Sequence, residues 1–411
     1  MTLRAQRAID ACWTIARFSE SSDNITRTYL SQPTHGVHEF LGAWMERLGM
    51  EWRVDAAGNL RGVYRGDGVG LRRLLIGSHI DTVPNAGAFD GVLGVVLALV
   101  MIEAFEGRRL SYDLEVIAFS EEEGVRFGVP FIGSRGLIGD VDEALLNTED
   151  RAGITVKEAI EHYGVAVSEL AAAVLDASAL GFVEFHIEQG PVLGDVGLSL
   201  GIVEAIAGQS RYELTFRGSA NHAGTTPMRR RRDALAGGAE WIGAVEREGH
   251  STLGLVATVG RAEVVSGATN VVPGEVRVSL DVRHGWDSAR ALAVENLLSS
   301  AHAIAARRGL GVEVVLQFED AATAMDGRLA AYLETAIVAT GRRPHRMVSG
   351  AGHDAMVLAK RVPAAMLFLR SPGGVSHHPD EAVLLEDVEA AIAAGLYFLQ
   401  HLDPNAFDTP V

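Results

Sequence analysis

A single cysteine, Cys12, stands in 411 residues. One thiol closes no intrachain disulfide and builds no cysteine-rich zinc site, which excludes a stapled secreted scaffold and fits a reducing compartment. Positive charge is also short: 36 lysines and arginines against 53 aspartates and glutamates leave a net charge of −17. Nucleic acid and anionic membrane both ask for a basic footprint, so no nucleic-acid or membrane partner is expected. The longest apolar run, Val92 to Ile102, is too short to span a bilayer. The opening stretch MTLRAQRAIDACWTIARF alternates charged and apolar residues as an amphipathic helix does, and it lacks the unbroken apolar core and cleavage site of a secretory leader. A cytoplasmic protein is expected. Internal repeats and low-complexity linkers are missing as well.

What is present is an ordinary globular composition, 48% apolar and 22% charged, over a length that suggests two domains. From about residue 72 to 140, short β-rich runs alternate with helical stretches. Leu74-Leu75-Ile76 leads into GSHIDT, Gly91 to Phe105 reads as a buried helix, and Leu114 to Phe119 as a buried strand ending at three glutamates. Doubly buried strands separated by helices predict a mostly parallel α/β sheet, whose chemistry gathers at the carboxyl ends of strands. Between about 209 and 324 the rhythm changes. Strands at Arg211–Arg217, Leu253–Arg261, Glu275–Arg283 and Val312–Phe318 and helices at Pro227–Glu248 and Asp287–Arg308 give the order βαββαβ, a ferredoxin-like unit with one sheet face left free. After 325 the α/β pattern resumes, with a strand at Ala364–Leu369 and a closing helix at Leu385–His401. The expectation is a discontinuous catalytic domain of helix-flanked, mostly parallel sheet over 1–208 and 325–411, with a dimerisation or lid domain inserted over 209–324.

The polar residues at predicted strand ends carry the chemistry. His79 and Asp81 in GSHIDT are two apart, so both side chains can point the same way, and a carboxylate behind a ligand histidine fixes its tautomer. Asp90 in AFDGVLGV reads as a ligand or as a helix N-cap. Ser120-Glu121-Glu122-Glu123-Gly124 sets three carboxylates at the end of a buried strand, a costly choice unless a dication stabilises them or the loop is fully solvated. His186 lies in VEFHIEQG, sharing a face with Phe182, Glu184 and Glu188, and His377 lies in VSHHPDE beside His378. Such nitrogen and oxygen ligands suit Zn²⁺, or Mn²⁺, Co²⁺ or Ni²⁺, and a carboxylate shared by two ions is the mark of two-metal hydrolases. The basic run Arg229 to Arg232 falls at a predicted helix start; surface or interface pairing is preferred there, with substrate steering the lesser reading.

Seven segments in unbroken order, GSHIDTVPNAGAFDGVLGV, EEEGVRFGVPFIGSR, FHIEQGP, NHAGTTPM, ATNVVPGEVRVSLDVR, SGAGHDA and SHHPDE, resemble the M20-type hydantoinase/carbamoylase family, from about Ile25 to Leu399. The resemblance implies two divalent metal ions per subunit, one on His79, Asp90 and His186 and one on Asp90, Glu123 and His377. It implies Glu122 as general base, Asp81 as the support of His79, and His222 as an oxyanion donor reaching the partner subunit's site in a homodimer. Gln189, Asn270, Arg283 and His353 would bind substrate. Read from the residues alone, Asn270 is equally a turn residue and Arg283 a solvated strand end. Ala86 departs from the pattern, since many members carry glycine there. The activity so implied is hydrolysis of a ureido group in a small carboxylate, foremost an N-carbamoyl-L-amino acid. The alternatives are allantoate, β-ureidopropionate, an aminoacylase or dipeptidase substrate, or a metal-dependent binding protein without catalysis.

Overall fold

The structure, a computed structural model, describes residues 1–407; the last positions of the expected catalytic domain, 408–411, lie outside it. The chain forms two compact units, the larger from Met1–Glu204, Met325–Met347 and the chain from Gly352 onward, the smaller from Ala205–Ala324 and Val348–Ala351.

The larger unit opens with helices α1 (Thr2–Ala16) and α2 (Gln32–Arg47). Strands β1 (Glu51–Val54), β2 (Leu60–Tyr64) and β3 (Arg73–His79) follow, then helix α3 (Val92–Ala104), β4 (Asp113–Phe119), β5 (Ala179–Ile187) and β6 (Leu200–Ile206). Strands of the smaller unit are β7 (Gly208–Arg217), β8 (Asn221–His222), β9 (Val256–Thr258), β10 (Ala262–Val265), β11 (Val271–Val272), β12 (Glu275–His284), β13 (Gly311–Asp320) and β14 (Thr323–Ala324); β15 (Arg346–Ser349) and β16 (Ala364–Leu369) come later.

The large sheet runs β1-β2-β4-β3-β5-β16-β6, with β14 and β15 also on β6. Its centre is parallel: β4, β3, β5 and β16. The rims, β1-β2-β4 and β16-β6, are antiparallel, so the expected mostly parallel sheet is a mixed one. The short rim strands β1 and β2 lack the long apolar run that betrays a doubly buried strand, which is why sequence pattern misses them. α3 is apolar all round and buried nearly throughout, as a helix between a sheet and other helices must be. It packs on β3 and β5 and beneath α1 and the closing helix Leu385–His401. Gly94 permits that approach, since a Cβ there would lie 2.1 Å from the Phe185 carbonyl oxygen. Cys12, on α1, is wholly buried in this core.

In the smaller unit the sheet order is β10-β12-β7-β13, antiparallel throughout, with β9 beside β12. Val276, Val278, Leu280 and Val282 of β12 join Leu214 and Phe216 in a core with the helices Ala234–Ser251 and Asp287–Arg308. The opposite face carries the alternate, polar residues. The first of these helices starts at Ala234, where Asp233 accepts the Ala236 N–H, rather than at Pro227. Residues Met228–Arg230 form a single 3-10 turn instead. Four arginines in a first helical turn would oppose the helix dipole, and the carboxylate cap suits it. The Leu253–Arg261 stretch likewise shortens to β9.

Candidate metal centre

The carboxyl ends of the four central strands carry the polar cluster. His79 is the last residue of β3, Glu121 to Glu123 follow β4, His186 lies near the end of β5, and the His377 loop follows β16. His79 Nδ1 sits 3.1 Å from the Asp81 carbonyl oxygen and 3.4 Å from its carboxylate, so the main chain is the nearer orienting acceptor. His186 Nδ1 sits 2.9 Å from the Ile187 carbonyl oxygen. Both Nδ1 atoms face acceptors and therefore carry the hydrogen in the neutral ring, which leaves lone pairs on both Nε2 atoms. Those Nε2 atoms are 3.4 Å apart, and Asp90 Oδ1, buried and without a hydrogen-bond donor, lies 3.2 Å from His186 and 3.7 Å from His79. Three acceptor lone pairs converging in a buried spot repel one another unless a cation sits among them. A divalent metal fits that donor set.

Asp90 also faces the other way. Its Oδ2 is 3.2 Å from His377 Nε2, which is 3.5 Å from Glu123 Oε1, so Asp90 is common to two groups able to hold an ion, His79–Asp90–His186 and Asp90–Glu123–His377. Gln189 Nε2 donates to Asp90 Oδ2 at 3.0 Å and lies 3.3 Å from His377 Nε2. Gln189 and His377 both hold left-handed backbone, at φ 59° and 54°, a strain concentrated where side chains must be aimed. His378 is not part of the cluster; its Nδ1 accepts the Asp380 N–H at the surface.

Asp81 does more than face His79. Its two carboxylate oxygens accept the N–H groups of Glu122 at 3.0 Å and Glu123 at 3.1 Å, which sets the glutamate loop against β3. Burial, reinforced by the neighbouring carboxylates Glu123, Asp354 and Asp81, pushes Glu122 well above the ordinary carboxylate range. Burial and Asp90 lift Glu123 to about 7. Hydrogen bonding to Asp90 raises His377 to about 9. Burial opposes ionisation of Asp90, but its histidine neighbours His186, His377 and His79 outweigh it and hold Asp90 well below the usual range. His353 is buried, edge-on to His186 with ring centres 4.5 Å apart, and burial holds it well below the usual histidine range.

His222, Asn270 and Arg283 belong to the smaller unit. His222 on β8 pairs with Val271 on β11, and the Ala223 N–H donates to the Asn270 carbonyl. His222 Nδ1 accepts the N–H groups of Gly224 and Thr225, at 3.1 and 3.2 Å, so the exposed Nε2 is the donor of the neutral ring. Arg283 stands on the polar face of β12. Ala86 keeps its loop regular, its N–H donating to Ile25.

Several participants escape a reading of the sequence. Glu381 Oε1 accepts the N–H groups of Phe89 and Asp90, and Ser376 donates to Glu381 and Asp90. Both lie inside the VSHHPDE segment, the one signal that could have flagged them. Glu184 accepts from the Ser78 hydroxyl and the Ala355 N–H. Arg27, fully buried, donates to the Ile80 and Phe18 carbonyls and so pins the backbone beside Asp81.

The helix-flanked mixed sheet thus carries at its strand ends two groups able to hold a cation, with one carboxylate common to both. Residues 75–401 match the model of Peptidase family M20/M25/M40. The chain is 36% identical to allantoate deiminase 2 of Glycine max, over 96% of this chain and 89% of that protein. It is 35% identical to an N-carbamoyl-L-amino acid amidohydrolase of Geobacillus stearothermophilus, over 93% of each. A crystal structure of a hydantoinase/carbamoylase family amidase from Burkholderia multivorans superposes with a TM-score of 0.90 at 30% identity, covering 99% of this chain and 98% of that one. The chain belongs to the M20/M25/M40 peptidase family, among its hydantoinase/carbamoylase amidases.

Proposed function

We propose that the protein is a metal-dependent amidohydrolase that cleaves the ureido group of a small carboxylate, foremost an N-carbamoyl-L-amino acid, to the amino acid, ammonia and carbon dioxide. The observation that carries this is the convergence of His79, His186 and Asp90 lone pairs on one point, with Asp90 shared by Glu123 and His377 on the other side. In this reading two divalent ions, Zn²⁺ or Mn²⁺, Co²⁺ or Ni²⁺, are held by those five residues. When bound, they supply Lewis acidity that lowers the pKa of water and polarises the ureido carbonyl.

The chain's own groups do the rest. Glu122, half-buried and held ready by Asp81 through its backbone, takes a proton from the attacking water and returns it to the leaving nitrogen. The partner subunit's His222 donates its Nε2–H to the developing oxyanion, a contribution typically worth about 3–4 kcal/mol. Arg283 and Asn270 hold the substrate carboxylate, with Gln189 and His353 completing the pocket. Allantoate is the second reading, favoured by the relatives named allantoate deiminase. An ammonia-release assay across N-carbamoyl amino acids, allantoate and N-acyl amino acids tests the reading. Turnover of N-acyl amino acids alone would overturn it.

A further inference from the structure

Resting on that reading, we infer that Asp281 is a positioning residue that clamps Arg283 and Arg211 into one seat for the substrate's carboxylate, with Arg211 as a second, specificity-determining cation. Asp281 stands on β12 between the buried Leu280 and Val282, so its side chain rises from the polar sheet face. Directly across the ladder its register partner is Arg211 of β7. Arg283 grips the carboxylate with a two-point fork, Nε to Oδ1 at 2.9 Å and Nη2 to Oδ2 at 3.1 Å. Arg211 Nε takes the same Oδ2 at 2.9 Å. One carboxylate thus fixes two guanidiniums on neighbouring strands.

Each guanidinium has five N–H donors, and the accounting shows what remains. Arg283 uses its Nε edge on Asp281 and one Nη1 hydrogen on the Gly350 carbonyl at 2.7 Å, so it keeps hydrogens on Nη1 and Nη2. Arg211 uses only Nε here and lies over the Phe318 ring, 5.6 Å from its centre. Both arginines line a pocket of about 610 Å³ with Asp281, Ser279 and Gln317. Without Asp281 two free arginines would repel and sample many rotamers. With it they are pre-oriented, so less side-chain entropy is lost when an anion binds.

The test compares a ureido acid with its carboxamide, in which the carboxylate is neutralised, on the same enzyme preparation. The ratio of the two kcat/KM values cancels any uniform loss of folded protein. Wild type should favour the acid at least about tenfold. Asp281→Asn should cut that preference about tenfold through KM with kcat nearly unchanged, and Arg211→Gln should cut it several-fold, both approaching Arg283→Ala. Equal losses for acid and carboxamide in Asp281→Asn would make the residue a mere part of the fold and overturn the clamp. If wild type cleaves no ureido acid, the functional reading fails separately. Direct titration of acid and carboxamide into a Glu122→Gln background, with and without Asp281→Asn, then reads the same ratio as affinities. An unchanged ratio overturns the inference there too.

Discussion

Glu381 Oε1 accepts the backbone N–H of Asp90 at 3.0 Å across 291 positions of chain. The same oxygen takes the Phe89 N–H at 2.9 Å, and Gly87 leaves the room, since a Cβ there would come within 2.4 Å of Glu381. The loop bearing His377 therefore holds the loop bearing the shared carboxylate. Glu381→Ala should strand two buried N–H groups, at about 1–3 kcal/mol each, and lower the metal content of the purified protein. Glu381→Gln keeps an acceptor oxygen and should retain most metal. Elemental analysis of both variants checks this, and a fully metallated Glu381→Ala protein would refute the coupling.

The carboxylates of the site should make the metal-stripped protein lose stability as pH rises. Burial raises Glu123 from 4.5 to about 7, so its contribution is whole below about 4.5 and lost as pH climbs through 7. The bond to Asp90 raises His377 from 6.5 to about 9, with loss over that higher window. Asp90 acts in the opposite sense, but its depressed value confines the effect to pH below 3.8. Glu123, with its side chain 8% exposed, contributes on the order of 2–3 kcal/mol, and half-exposed His377 less. Chelated protein should keep its circular dichroism at neutral pH, lose activity, and melt lower at about pH 8.5 than at about pH 5.5. A melting temperature that rises over this span counts against the assignment.

Glu122→Gln should lower turnover by several orders of magnitude with metal content near normal, because Glu122 is assigned to proton transfer. Glu123→Gln should weaken one metal instead. Loss of metal only in the Glu122 variant reverses the two roles.

In the smaller unit β13 pairs, among the described residues, only with β7, leaving an edge along which Val315, Leu316 and Phe318 are exposed. A two-fold dimer built on one self-complementary patch would use such an edge. If His222 serves the partner's site, a heterodimer of His222→Ala and Glu122→Gln chains holds one site with both defects and one with neither. Two inactive proteins should then regain activity on mixed reassembly, approaching one working site per heterodimer. Verified heterodimers no more active than their parents would sink the composite site.

How far the sequence could be read depended on the range of the determining interaction. The helix Asp287–Arg308 and the strand Ala364–Leu369 end where local pattern puts them, the former at Gly309 in left-handed backbone. His79, Glu123 and His377 end or follow strands visible in the apolar pattern, while Asp90 precedes the buried helix α3 and His186 lies in an alternating stretch that proves to be β5. The helix after Pro227 misleads because a Thr-Pro start signal precedes the true cap, Asp233. Glu381 and Ser376 stay hidden because their meaning lies in a contact nearly three hundred residues long. The rim strands β1 and β2 stay hidden because pairing, more than composition, makes them strands.

The order in which the large sheet is assembled has a kinetic consequence. Among the described residues β16 alone joins β5 to β6, and it pairs in parallel with β5 through Ala364 opposite Phe182. Closing that pair means ordering a loop of roughly 180 residues, an entropic cost on the order of 5 kcal/mol before any contact forms. During synthesis the whole 205–324 segment leaves the ribosome before β16 exists. Until then β5, buried along its full length in the finished protein, presents an unpaired apolar edge. Nascent or refolding chains should therefore be most prone to aggregate in this interval, and a chaperone that shields the β5 edge should raise the yield of native protein more than one acting after the C-terminal helix has docked.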